Sequence, residues 1–186
     1  MTDIDPKQAA QALTDIEDIV RRVRQSQIYN LASLIMIWWG VLVFVANVAT
    51  WLWPRYAYYI WPAANIAGLA GTVVIGALLH IRTHVRAVDG RVVTAYVIFY
   101  AFGLLCSQVL GDFGPRELGA FWPIYFMLFY MLAGLWFGRA FVGIGLAVTV
   151  LTLIGYFYVL GGSFLLWMAV VNGCGLVLGG LWMRWT

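Results

Sequence analysis

From Ile28 onward the chain is a series of apolar runs of about 20 residues, parted by short breaks that hold the polar residues, glycines and prolines. At about 1.5 Å rise per residue, a helical run of that length matches the hydrocarbon thickness of a bilayer. The pattern predicts six transmembrane helices, at roughly 29–53, 58–81, 92–111, 120–138, 140–160 and 163–183. Pro54 to Ala57, Arg82 to Arg91, Gly111 to Gly119, Gly138-Arg139 and Gly161-Gly162 connect them. Short links force neighbouring helices antiparallel, so the six spans form three antiparallel hairpins. Two spans end alike, at Leu132–Arg139 and Leu178–Arg184, with glycines inside the run, a Trp at its edge and an Arg to stop it. That is a helix meeting a water boundary.

Residues 1–27 follow another period. Asp5-Pro6 reads as an N-cap with proline at the first helical position. Ala9, Leu13, Ile16, Val20 and Val23 recur at three- and four-residue spacing, which makes an amphipathic helix. Glu17 with Arg21 and Asp18 with Arg22 pair one turn apart, acid first. A signal peptide would place its apolar core earlier and would not carry five acids ahead of it. The expected organisation is therefore an amphipathic cytoplasmic helix at 1–27, before a six-helix transmembrane bundle at 28–186. The first helix either lies on the membrane surface or docks a partner along its apolar stripe.

Composition supports the membrane as solvent. The chain is 63% hydrophobic and 10% charged, against about 25% charged residues in a soluble domain. With the N-terminus inside, Lys7, Arg21, Arg22, Arg24, Arg82, Arg86, Arg91, Arg139 and Arg184 fall on the inner side, and Arg55 and Arg116 on the outer. This positive-inside bias predicts a multi-pass protein of the bacterial inner (cytoplasmic) membrane with both termini cytoplasmic. It also accounts for the net charge of +3 without invoking nucleic acid.

No Asp, Glu, Lys, Arg or His falls near the centre of an expected span. Intramembrane ionisable groups mark proton relays and ion-coupling sites, so pumps and carboxylate-coupled antiporters are disfavoured. His80 and His84 lie one turn apart at the inner boundary, with Asp89 as the one further possible ligand and Arg82 and Arg86 opposing a cation. Solvated interfacial histidines fit that setting better than a metal centre. Cys106 and Cys174 sit singly in apolar runs. No nucleophile–base pair and no carboxylate set is visible, so neither an enzyme nor a cofactor is expected.

Uncharged polar groups are the remaining candidates. Asn47, Asn65 and Gln108 lie toward the outer ends of their spans, and Asn172 lies nearer mid-membrane. An amide in hydrocarbon costs several kcal/mol unless bonded, so these should face the bundle interior, either tying helices together or lining an outward-opening pocket. Trp122 and Tyr125 head an aromatic stripe on the fourth span that would supply the pocket wall. Gly68, Thr72 and Gly76, Gly134 with Gly138, and Gly175 with Gly179 are expected to admit a neighbouring backbone. Tyr59–Pro62 and Ala120–Pro123 read as aromatic belts in which proline opens a helix at no cost in hydrogen bonds. Gly111–Glu117 reads as a turn.

Phe121–Ile124, Gly134–Arg139, Gly155-Tyr156 and Leu166–Asn172 resemble a group of six-span bacterial inner-membrane proteins with no assigned activity. The resemblance implies the six-span fold and nothing about chemistry. The many tryptophans are similar in composition to the tryptophan-rich sensory proteins, which are five-span bundles. The functional expectation is a non-enzymatic integral membrane protein in a sensory or accessory role. It would bind an apolar or aromatic small molecule, or a protein partner, a second copy included. The alternative is a small transporter, or the substrate-binding membrane subunit of one.

Overall fold

The computed structural model describes residues 6–83, 90–111 and 113–185. Asp5, His84, Arg86, Asp89 and Asp112 lie outside these residues, as does the side chain of His80. Every regular element among the described residues is helical. Helix α1 runs from Pro6 to Leu52, and a 3₁₀ turn, Pro54–Tyr56, leads into α2, Ala57–Thr83. Next come α3, Gly90–Val109, α4, Pro115–Phe137, and α5, Arg139–Tyr158. The last helix, α6, spans Ser163–Trp185 with a π-helical segment, Ala169–Cys174, between α-helical ends.

Among the described residues, five helices are long and apolar enough to cross a bilayer: Tyr29–Leu52 within α1, Pro54–Leu79, Pro115–Trp136, Arg139–Tyr158 and Ser163–Trp185. This is the profile of a membrane protein. Helix α3 covers the expected third span at 92–111 to within two residues at either end. Among the residues whose side chains are described, its apolar stretch is Thr94–Val109, within a helix of 20 residues. Arg91 stands in its first turn, and the helix stops at Val109, ahead of Gly111 with φ +134°.

The sequence sets a boundary near residue 27, yet α1 passes through it as one helix of 47 residues. Backbone N–H to C=O bonding is the same in water and in hydrocarbon, so a change of solvent need not end a helix. Of the apolar stripe at 9–23, only the Ile16 side chain is described; it is 57% exposed.

Helices α1 and α6 form the trunk. A Cβ added at Gly40 would stand 2.8 Å from the Gly173 carbonyl oxygen, one at Gly173 2.8 Å from Phe44 Cα, and one at Gly180 2.8 Å from the Ser33 carbonyl oxygen. The two backbones touch because these three positions lack side chains. Ser33, fully buried, donates to the Gly180 carbonyl at 2.6 Å and accepts from Arg184 Nε at 3.1 Å. Met36 and Met183 fill the space beside the seam.

Helix α2 packs on α1 through two indoles. Trp39 lies over Gly68 and donates to Thr72 Oγ1 at 3.1 Å, and Trp38 lies over Gly71 and donates to the Ala67 carbonyl at 3.3 Å. Helices α4 and α5 form a tight antiparallel pair around Gly138, whose φ of +138° suits glycine. Gly134 meets the Val142 nitrogen, and Gly145 meets the Met127 carbonyl. Of the expected links, Gly161-Gly162 is a turn, and at the other Gly138 alone parts α4 from α5, with Arg139 already in the helix.

Two prolines lie deeper in their helices than expected. Helices α2 and α4 begin at Ala57 and Pro115, so Pro62 and Pro123 lie inside them and each removes an internal hydrogen bond. The first-turn role belongs instead to Pro54, which opens the 3₁₀ turn, and to Pro115, which follows the N-cap Gly114.

Candidate functional site

The six residues singled out for a pocket fall into separate places. Asn47 is buried on α1, between Phe44, which touches Gly173, and Trp51, which touches Gly162. Its Nδ2 donates 2.9 Å to the Val43 carbonyl of its own helix. Asn65 is half-buried on α2 and donates 2.8 Å to the Trp61 carbonyl, also its own. Asn172 is buried in the π-helical segment of α6, with Nδ2 directed at Met168 Sδ, 3.7 Å away. Gln108 is exposed near the end of α3. These three asparagines thus satisfy an amide donor locally, by bonds one turn back, and those bonds line no common space.

Trp122 and Tyr125 do come together. They meet edge to face at 6.2 Å on α4, within a cluster that holds α3 against α4. Phe99 of α3 stacks on Tyr125 at 4.1 Å and tilts against Phe129 at 5.1 Å, while Tyr100 stacks on Trp122 at 5.3 Å. The Tyr125 hydroxyl donates 2.8 Å to the Phe99 carbonyl. Gly103 makes room, since a Cβ there would stand 2.8 Å from Tyr125. The rings expected to wall a pocket fill the space between two helices with one another. Offset and edge-to-face ring pairs add about 0.5–1.5 kcal/mol each beyond area burial, enough to dock a peripheral helix.

The ends of the bundle carry polar fixtures whose partners the sequence does not reveal. Arg116, read as part of a turn, lies in the first turn of α4 and reaches the C-terminus of α5. There its Nη2 donates to the carbonyls of Tyr156 at 2.5 Å and Val159 at 2.6 Å, and its guanidinium lies over the Phe164 ring at 4.8 Å. The final carbonyls of a helix lack intrahelical partners and carry its negative dipole end, so a cation there answers both. At the opposite end the Tyr29 hydroxyl sits against Gly138, and Arg184 binds Ser33. The start of the α1 span, the α4–α5 turn and the end of α6 thus share one face of the bundle. An arginine at the second position of a helix gives no pattern that identifies the carbonyls it will meet 40 residues later.

Two open depressions mark the lateral surface. One, of about 220 Å³, lies between α4 and α5 near Glu117, Phe121 and Phe157. The other, of about 290 Å³, is an apolar groove between α5 and α6. None of the six predicted residues lines either one. No family model matches the chain, and no curated protein or solved structure matches it either.

Proposed function

We propose that this is a non-enzymatic integral membrane protein whose N-terminal half of α1 takes a protein partner and couples it to the membrane-embedded bundle, in a sensory or accessory role. One observation carries the reading: the helix that would meet the partner is continuous with the trunk of the bundle. Residues 6–28 add about 34 Å of helix to the Tyr29–Leu52 span. Ile16 is exposed, and an apolar stripe on a helix requires something to cover it. Because α1 touches both α2 and α6, a force or tilt applied to the arm reaches two further helices without crossing a hinge.

In this reading α3 is the sixth crossing, completed by residues beyond its apolar stretch. The three hairpins have both termini on the cytoplasmic side of a bacterial inner membrane, as the distribution of arginines favours. Small-molecule binding and transport draw less support, because the polar residues they would use bond within their own helices.

A photo-crosslinking residue at Ile16 in cells should give a discrete protein adduct, and the same residue at Val74, on the exposed side of α2, should give none. Adducts with lipid alone at position 16 would contradict the reading. Deletion of residues 1–24 should remove the partner while leaving the protein folded in the membrane.

A further inference from the structure

The groove between α5 and α6 has a chemical polarity along its length. Its buried lining is Ile144 and Val148 on α5 with Val171 and Gly179 on α6, and its exposed lining is Gly143, Ala147 and Leu151 on α5 with Leu178 and Trp182 on α6. One turn beyond Gly143, on the same face of α5, stands Arg139. Arg139 is exposed and makes no hydrogen bond, ion pair or ring contact with any described residue. On the α6 side, one turn beyond Trp182, the Trp185 ring is 89% exposed. The groove is thus a shallow apolar depression whose end lies beside an exposed guanidinium, unpaired among the described residues, and an indole.

We infer that this groove binds one anionic phospholipid, with an acyl chain along Gly143–Leu151 and Leu178–Trp182 and the phosphate at Arg139. Charge selects the occupant. A transmembrane helix of a second copy would cover the apolar depression but leave the Arg139 charge unmatched, whereas a phosphodiester joined to an acyl chain meets both parts. Arginine suits a phosphate oxygen pair through its planar fork, and an interfacial indole sits at headgroup depth. Basic residues between transmembrane helices at a membrane boundary are a recurring anionic headgroup site.

The test uses the full chain purified in detergent and offered a mixture of phosphatidylglycerol and phosphatidylcholine, with retained lipid counted by native mass spectrometry. The wild type should keep phosphatidylglycerol in preference to phosphatidylcholine. Arg139→Gln should lower phosphatidylglycerol retention about fivefold, the factor expected for one basic residue at a lipid surface, and Arg139→Lys should restore most of it. Gly143→Leu should reduce retention of both lipids by filling the mouth of the groove. A Cβ at Gly143 meets nothing nearer than the Trp182 ring at 3.9 Å, so the variant should fold, as its elution and thermal unfolding will report. Equal retention of the two lipids by the wild type, or no change in Arg139→Gln, would overturn the inference. So would a Gly143→Leu variant that turns a dimer into a monomer with its lipid unchanged, for that result assigns the groove to a second copy.

Discussion

The α1–α6 seam and the α3–α4 contact join helices by opposite means. At the seam, glycines at 40, 173 and 180 let backbone meet backbone, and 50% of the most apolar window of α6 is buried. At α3–α4 the backbones stand apart and rings fill the gap, and only 17% of the corresponding window of α4 is buried. A glycine seam tolerates no added atom. A ring-filled contact tolerates adjustment, because stacked side chains can slide without moving a helix axis. The first therefore fixes the trunk, and the second leaves α3 peripheral.

Gly180→Leu should break this contrast most severely. The added side chain meets the Ser33 carbonyl, and a loss of about 3 kcal/mol or more is expected, read as a collapse of thermal unfolding temperature in detergent. Arg116→Gln comes next. It removes a charged donor from the C-terminus of α5 and should cost about 1.5–3 kcal/mol in the same assay. Tyr125→Phe deletes only the hydroxyl bond to Phe99 and should cost about 1 kcal/mol while the ring stacking survives. Asn65→Leu should change stability by less than about 0.5 kcal/mol, since it removes a bond within one helix. A large loss in Asn65→Leu would restore the idea that this amide ties helices together.

Much of the architecture is legible in the residues. Apolar length alone locates the five described helices that are long and apolar enough to cross a bilayer, and Gly138 and Gly161-Gly162 mark where α4 gives way to α5 and α5 to α6, because only short polar or glycine-bearing links interrupt the runs. What escapes is direction. Gly173, Gly175, Gly179 and Gly180 look equivalent in sequence. The structure turns Gly173 and Gly180 to α1 and Gly175 and Gly179 to α5, a choice set by neighbours distant in the chain. Trp38 and Trp39 read as generic membrane aromatics until Gly71 and Gly68 receive them. The candidate pocket had the right residue types, but an asparagine one turn from its own carbonyl has a local partner available, and periodicity does not reveal which it takes. The boundary at residue 27 marks where polarity changes, while helical hydrogen bonding carries on across it.

That continuity is what the functional account rests on. Ile16 and Asn30 are both exposed on α1, one on the projecting arm and one at the start of the membrane span, and 14 residues of unbroken helix place them about 21 Å apart. Spin labels at these two positions, measured by pulsed electron–electron resonance in lipid nanodiscs, should give one narrow distance distribution centred near that separation. A broad distribution, or a distinctly shorter one, would show a joint between arm and trunk, and α1 would then not couple a bound partner to the bundle.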